Sequence, residues 1–391
     1  MSQDIFEKSP DLRRLREEGF EVFIVDSHLV VGNIPYVNNH RELQWGALVC
    51  PLELAGNITC KPPDHVMGFT GTQPCYQDGK VIAGIVNCEC NESISSSIVV
   101  TRKFSNKPPD GYPDYYAKVV RYVEILSGPA RSIDDSVDPR NFRVLPDNCS
   151  DSPFEYPDTN TGRAHIDSLA QRFHGQKVGI IGTGGTGSYV LDLVSKTPVV
   201  LIRLFDGDEF RQHNAFRTPG AASLEQLAQR LKKVDYLTGI YSKMHRKIEA
   251  YAQNVDERNL PLLDDLDFVF ICIDNGPAKR TIINRLRDRI VPFIDVGLGV
   301  QLVNGKLTGT ARVTACTELC SDHIEKRVSF GADDDDLYAT NIQIADLNML
   351  NAALAVMRWK KMVGFYADLK REHECGYVIE CNCLVNDDFA S

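Results

Sequence analysis

The sequence predicts an α/β fold, a mostly parallel sheet wrapped by helices and carrying an antiparallel extension, preceded by a smaller strand-rich α+β domain. Three observations predict it. Residues 177–191 read as a short buried strand, a glycine turn and the start of a helix. From residue 199 to residue 297, apolar strand-like runs alternate with segments of helical spacing, the pattern of parallel strands joined by crossover helices. Asn304-Gly305 then separates two apolar runs, the mark of a tight hairpin and so of an antiparallel addition to the sheet.

Residues 11–150 do not repeat this pattern. Alternation at 20–25 and apolar runs at 29–31, 45–49 and 98–102 predict strands separated by Gly, Pro and Asn turns. Asp78-Gly79 predicts a turn inside a loop over 70–80, and Tyr115, Val119, Val120, Val123 and Leu126 share helical spacing over 112–126. The stretch 136–162 is rich in Asp, Pro, Asn and Ser and reads as a linker. The expected organisation is a domain over 1–135, that linker, and a second domain over 163–391.

In the second domain the spacing predicts helices over 164–173, 224–240, 242–252, 277–290 and 342–365, with strands over 199–205, 266–273 and 292–297. The hairpin strands are expected over 300–303 and 307–313. Four consecutive aspartates, 333–336, repel one another and read as a solvated loop.

The glycine turn carries chemistry. Gly182, Gly184 and Gly187, with Gly185 beside them, fit the spacing GxGxxG, which lets a backbone turn tightly and aims helix N-terminal amides at a phosphate. The next strand ends on Asp206, where a dinucleotide-type fold places the carboxylate that takes ribose hydroxyls. A nicotinamide-dependent oxidoreductase needs no more than this. The chain continues with Asp208, Asn214, Arg217, Lys243 and Asp274, all of which that reading leaves unexplained.

Taken in order, the glycine loop, Asp206 with Asp208, Asn214 with Arg217, Lys243 in an expected helix, and Asp274-Asn275 at the end of a strand resemble the ATP site of the ThiF/MoeB and ubiquitin-activating enzyme superfamily. The resemblance covers about residues 160–370. It implies a Rossmann-like fold and ATP- and Mg²⁺-dependent adenylation of a carboxylate. Gly182, Gly184, Gly185, Gly187, Asp206, Asp208, Asn214, Arg217, Lys243 and Asp274 would bind the nucleotide. Arg217 and Lys243 would offset charge as pyrophosphate leaves, and Asp274 would hold Mg²⁺ directly or through water.

The acid implied by the resemblance is the C-terminal glycine of a ubiquitin-like or sulfur-carrier protein, a carboxylate already ionised at neutral pH, so that no general base is required. Many relatives then pass the acyl group to a cysteine. Cys320, three residues before His323, is the candidate nucleophile, with Cys316 and Cys75 as alternatives. The N-terminal domain would engage the ubiquitin-like protein or a ubiquitin-conjugating-type enzyme. The active form would be a homodimer in which Arg163 or Arg172 reaches the partner's ATP. The same fold leaves open an enzyme that adenylates a small molecule or a modified RNA base, and a nucleotide-binding module without catalysis.

Charge and cysteine usage narrow the partners. A net charge of −10 offers no general basic field for nucleic acid or anionic lipid. The polar, acidic start and the lack of an eighteen-residue apolar run point to a cytoplasmic protein without a membrane span. The 12 cysteines then read as thiols rather than disulfides. None forms the paired Cys-x-x-Cys that holds zinc in many relatives, which speaks against that site.

Overall fold

The computed structural model describes residues 2–96, 98–146, 151–164, 166–330 and 342–389. The chain divides into two compact units, Met1–Cys149 with Tyr156–His165, and Ser150–Glu155 with Ile166–Ser391.

The first unit opens with two helices, α1 (Ser2–Lys8) and α2 (Pro10–Glu17). Strands β1 (Val22–Val25), β2 (His28–Val37) and β3 (Leu43–Pro51) follow, then a small hairpin of β4 (Leu54–Ala55) and β5 (Ile58–Thr59). β6 (Val66–Phe69), β7 (Val86–Ser95) and β8 (Ile98–Ser105) complete an antiparallel sheet in the order β1-β2-β3-β6-β8-β7. Helix α3 (Tyr115–Ile133) starts on Asp114, whose side chain accepts from the Ala117 amide at 2.7 Å and so satisfies an otherwise orphaned helix donor. Tyr115, Val119, Tyr122 and Leu126 recur at helical spacing and share one core with Phe6, Leu12, Leu15, Val31, Leu48, Phe69 and Phe104. Within 136–162, Arg140 bridges Phe20, and Asp158 caps the short helix α4 (Thr159–Arg163).

In the second unit, helix α5 (Asp167–Ala170) precedes β9 (Lys177–Ile181), α6 (Gly185–Val194) and β10 (Leu201–Phe205). Short helices α7 (Gln212–Ala215) and α8 (Leu224–Ala228) lead to α9 (Lys233–Tyr241), β11 (Ile248–Tyr251) and β12 (Phe268–Ile271). Then come α10 (Gly276–Asp288), β13 (Phe293–Val303), β14 (Lys306–Cys316), α11 (Ile324–Arg327), α12 (Ala345–Met362), β15 (Glu372–Val378) and β16 (Cys383–Phe389). The sheet runs β11-β10-β9-β12-β13-β14-β15-β16. Its first five strands are parallel and the last three add antiparallel, as the crossover pattern and Asn304-Gly305 predict.

Alternation along buried strands divides the core between the two faces. Val178, Ile180, Phe268 and Phe270 pack with Val190, Leu191, Ala355 and Trp359 of α6 and α12, while Ile181, Val269 and Ile271 pack with Ile282, Ile283 and Leu286 of α10. Both faces being covered explains why these strands read as continuous apolar runs.

Several expected elements differ. The helix expected over 242–252 is a turn followed by β11, because Ile248 pairs with Ile202 and completes the sheet edge, a tertiary pairing that overrides local periodicity. The helix expected over 224–240 is split into α8 and α9, with Arg230 in the left-handed region at φ 49° between them. The helix expected over 164–173 resolves into α5 and a short tight turn at Gln171–Phe173. The β15–β16 hairpin was not expected at all. The aspartates 333–336 lie outside the described residues. Among the described residues no helix is long and apolar enough to cross a membrane.

Candidate nucleotide and acyl-substrate site

A cavity of about 340 Å³ opens at the carboxyl ends of the parallel strands, the position where open α/β sheets collect ligands. The glycine loop forms its floor. Gly182 has φ +85°, and a side chain there would place its Cβ 2.5 Å from the Cys272 carbonyl oxygen. A Cβ on Gly187 would overlap the Gly182 carbonyl. Close packing of the turn against β12 and against itself therefore requires glycine at both places. α6 starts at Gly185, so its free amides face the same cavity as Gly182 and Gly184.

Asp206, at the end of β10, is nearly buried and lines the cavity. Its Oδ2 accepts from the Thr183 amide at 2.8 Å and its Oδ1 from the Asp208 amide at 2.9 Å, so one carboxylate braces both the glycine loop and the turn after β10. Asp208 also lines the cavity and receives the Lys233 ammonium at 2.7 Å, a bond that holds its carboxyl below the usual carboxylate range.

Arg217 reaches the same wall. Burial lowers its pKa, with Asp274 and Asp208 pulling the other way, and its Nε is buried with no acceptor among the described residues. Asn214 lies just behind the wall, where its Oδ1 accepts from the Arg211 amide at 2.9 Å and its carbonyl accepts from the Arg217 amide at 3.0 Å. Its Nδ2 likewise lacks an acceptor among the described residues. Arg217 Nε, a buried donor on the cavity wall without an acceptor among the described residues, suits an anion. Asp274 also lines the cavity, exposed, immediately before Asn275, whose side chain caps α10 by accepting from the Ala278 amide at 2.9 Å. An accessible carboxylate beside a phosphate-directed loop is a hard-oxygen donor that fits Mg²⁺ completed by phosphate oxygens and water.

Four of the residues expected at the site do not line the cavity: Gly187, which packs against the Gly182 carbonyl, Asn214, Lys243 and Cys320. Lys243 is exposed in the turn after α9 and does not line the cavity. The helix after α8 starts at Lys233 and not at Ser242, so the lysine that lines the cavity is Lys233, and the Lys232-Lys233 pair ahead of Val234, Tyr236 and Leu237 is the sequence signal for that start. Cys320 is also elsewhere. Cys316 pairs with Phe293 at the start of β13, whereas the cavity is reached at Val296 to Leu298, and Cys320 lies beyond Cys316. Phe293 to Gly297 alone spans roughly 13 Å of strand. The Cys320 thiol faces His323 Nδ1 at 3.6 Å, and burial, helped by Asp388 and Asp322, pushes its pKa up.

The sequence reading passed over Cys272, Asn254, Gln343, Asn351 and the β13 wall at Gly297, all of which line the cavity. They carry no motif and come together only through the sheet order. Behind that wall Asp295 is fully buried between Lys279 at 2.8 Å and Arg312 at 2.6 Å, tying α10 to β13 and β14.

The ThiF family profile matches residues 161–368, more than half of the chain. This chain belongs to the ThiF family. A second profile, a domain of unknown function named DUF6791, matches residues 10–159, ahead of the ThiF domain. Among curated proteins, the ubiquitin-like modifier-activating enzyme 5 of Drosophila ananassae is 22% identical over 156 residues, covering 37% of this chain and 39% of that protein. Its Drosophila melanogaster counterpart is 24% identical over 157 residues with the same coverage. The chain thus spans about two fifths of the length of the curated relatives it matches. Among solved structures, E. coli MccB with ATP superposes on the ThiF-family chain with a TM-score of 0.45 and 17% identity, covering 59% of this chain and 70% of MccB. PaaA gives a TM-score of 0.48 and 16% identity, covering 70% and 92%.

Proposed function

We propose that the ThiF domain is an adenylyltransferase that uses ATP and Mg²⁺ to activate the C-terminal carboxylate of a ubiquitin-like or sulfur-carrier protein. One observation carries the reading. The cavity joins a helix-N-terminal glycine loop to Arg217, Lys233 and Asp274, three charged groups that suit a triphosphate and its metal. Its curated relatives bear the name of ubiquitin-like modifier-activating enzymes, which supports the choice of acid.

In this reading Asp206 and Asp208 take the ribose side and the amides of Gly184 to Gly187 take phosphate oxygens. The substrate carboxylate oxygen attacks the α-phosphorus and forms the new O–P bond. The bond from that phosphorus to the bridging oxygen breaks, and pyrophosphate leaves with the electron pair. Arg217 and Lys233 offset the charge that develops on the leaving group, at positions already fixed before reaction. When bound, Mg²⁺ supplies further charge neutralisation, with Asp274 as its protein ligand.

The thiols favour a reaction that stops at the acyl adenylate. Cys272 lies in the wall, but burial pushes its pKa up and leaves a protonated, poor nucleophile. Cys320 lies outside the cavity lining, beyond Cys316, which pairs with Phe293 three residues before the cavity is reached at Val296.

Incubation with candidate ubiquitin-like proteins and ATP labelled at the α-phosphate tests the reading. The expected result is labelled AMP, formed only with a protein whose C-terminal carboxylate is intact. Label recovered as ADP would sink the proposal.

A further inference from the structure

The cavity wall has a polarity that divides it into two halves. On the glycine-loop side the buried groups lacking partners are donors, Arg217 Nε and, just behind it, Asn214 Nδ2. Elsewhere on the wall they are acceptors, Asn351 Oδ1 against β13 and Gln343 Oε1 just ahead of α12. Both Asn351 and Gln343 line the cavity, and Asn351 is fully buried. The orientation of the Asn351 amide is fixed by chemistry. Its Nδ2 donates to the Gly297 carbonyl at 3.1 Å, and the reversed amide would set two acceptors against each other. Oδ1 is therefore the atom left over, and no described residue donates to it.

Sheet order says which ligand group meets that side. Asp206 ends β10, the glycine loop follows β9, Asp274 follows β12, and Gly297 lies within β13. These strands are adjacent in the order β10-β9-β12-β13, so the ribose carboxylate and the Asn351 wall are three strand spacings apart, roughly 14 Å. Sugar, phosphates and the acid to be activated are thus laid across the sheet in turn. The acid, not the adenine, meets Asn351.

We infer that Asn351, assisted by Gln343, is a specificity-determining residue that accepts a hydrogen bond from the backbone N–H of the substrate's C-terminal residue, so that the site selects a peptide or protein C-terminus over a carboxylic acid lacking that amide. The inference rests on the adenylation reading above. An acid without the N–H leaves a buried acceptor unpaired in the loaded site, the situation that gives polar sites their strongest discrimination.

Two non-hydrolysable probes test it on the full chain without knowledge of the natural partner: adenosine joined through a sulfamoyl link to N-acetylglycine, and its ester counterpart carrying an acetoxyacetyl group. They differ in replacing one N–H by an oxygen. The wild-type protein is expected to bind the amide probe at least about 10-fold more tightly than the ester. Asn351→Leu should bring that ratio close to one and Gln343→Met should lower it, with ATP affinity in both variants within about 2-fold of wild type as the check on folding. Equal binding of the two probes by wild type, or an undiminished ratio in both variants, overturns the assignment of Asn351. Binding of both probes no tighter than AMP overturns that assignment and the adenylation reading together, whereas tight but equal binding overturns the assignment alone.

Discussion

Lys233 Nζ lies 2.7 Å from Asp208 Oδ2 and 3.7 Å from Asp206 Oδ1, so the first turn of α9 joins both carboxylates that follow β10. The lysine is nearly buried and lines the cavity, whereas Lys243 is exposed and outside it. Replacing Lys233 by alanine is expected to lower pyrophosphate exchange into ATP on the order of 100-fold, the scale of removing one preorganised charge partner. Lys243→Ala should leave exchange unchanged. The reverse ranking in a steady-state exchange assay would return the role to Lys243.

Asp274 offers the carboxylate assigned to Mg²⁺. Asp274→Ala should abolish exchange while leaving the thermal unfolding midpoint near wild type, because the side chain is exposed at a strand end. Asp274→Asn keeps an oxygen ligand but loses the charge, and should need a higher Mg²⁺ concentration for half-maximal rate. A magnesium titration in which the Asn variant superposes on wild type would remove the metal assignment.

Cys320 is a test of position. Since it lies beyond the start of β13, Cys320→Ser should keep the exchange rate within about 2-fold. If a thiol-sensitive adduct with the substrate protein forms on wild type, it should survive this substitution. Disappearance of such an adduct from non-reducing gels would show that the acyl group travels to Cys320 after all.

His245 gives the ThiF domain a pH dependence of stability. It is fully buried, near the Val199 carbonyl at 3.0 Å and edge-on to Phe154, and burial lowers its pKa to about 4. The unfolded chain binds a proton on this ring below its ordinary pKa near 6.5, but the folded protein resists doing so until about 4. Its contribution is therefore fully present above pH 6.5 and is lost as pH falls toward 4, to a limit of about 3 kcal/mol. Denaturant melts at several pH values should show this slope in wild type and a flatter one in His245→Asn; identical slopes would contradict the assignment.

The elements legible in the sequence were those specified locally. The glycine loop, the alternating parallel strands and the Asn304-Gly305 hairpin each carry their own signal in turn chemistry or periodicity, and each appears where the residues put it. β11 was not legible, because Ile248–Tyr251 becomes a strand through pairing with β10 rather than through any pattern of its own. The final hairpin was missed for the same reason, since most of β16 is exposed and has no apolar alternation to show. At the site, Asp206, Asp208, Arg217 and Asp274 stand at the ends of predictable strands or shortly after them, and the cavity gathers them. Lys233 was hidden by the break at Arg230, which resets the helix start. Asn351 and Gly297 meet only because α12 packs across β13, a contact of residues far apart in the chain.

The measurement that bears most directly on the central claim is exchange of labelled pyrophosphate into ATP by the full chain, run with and without small ubiquitin-like proteins. Adenylation predicts exchange that requires Mg²⁺ and one such protein with its C-terminal carboxylate intact, and that falls in Lys233→Ala. Exchange absent with every such protein, while ATP binding itself is retained, would contradict adenylation of a protein C-terminus and leave the cavity as a nucleotide-binding site alone.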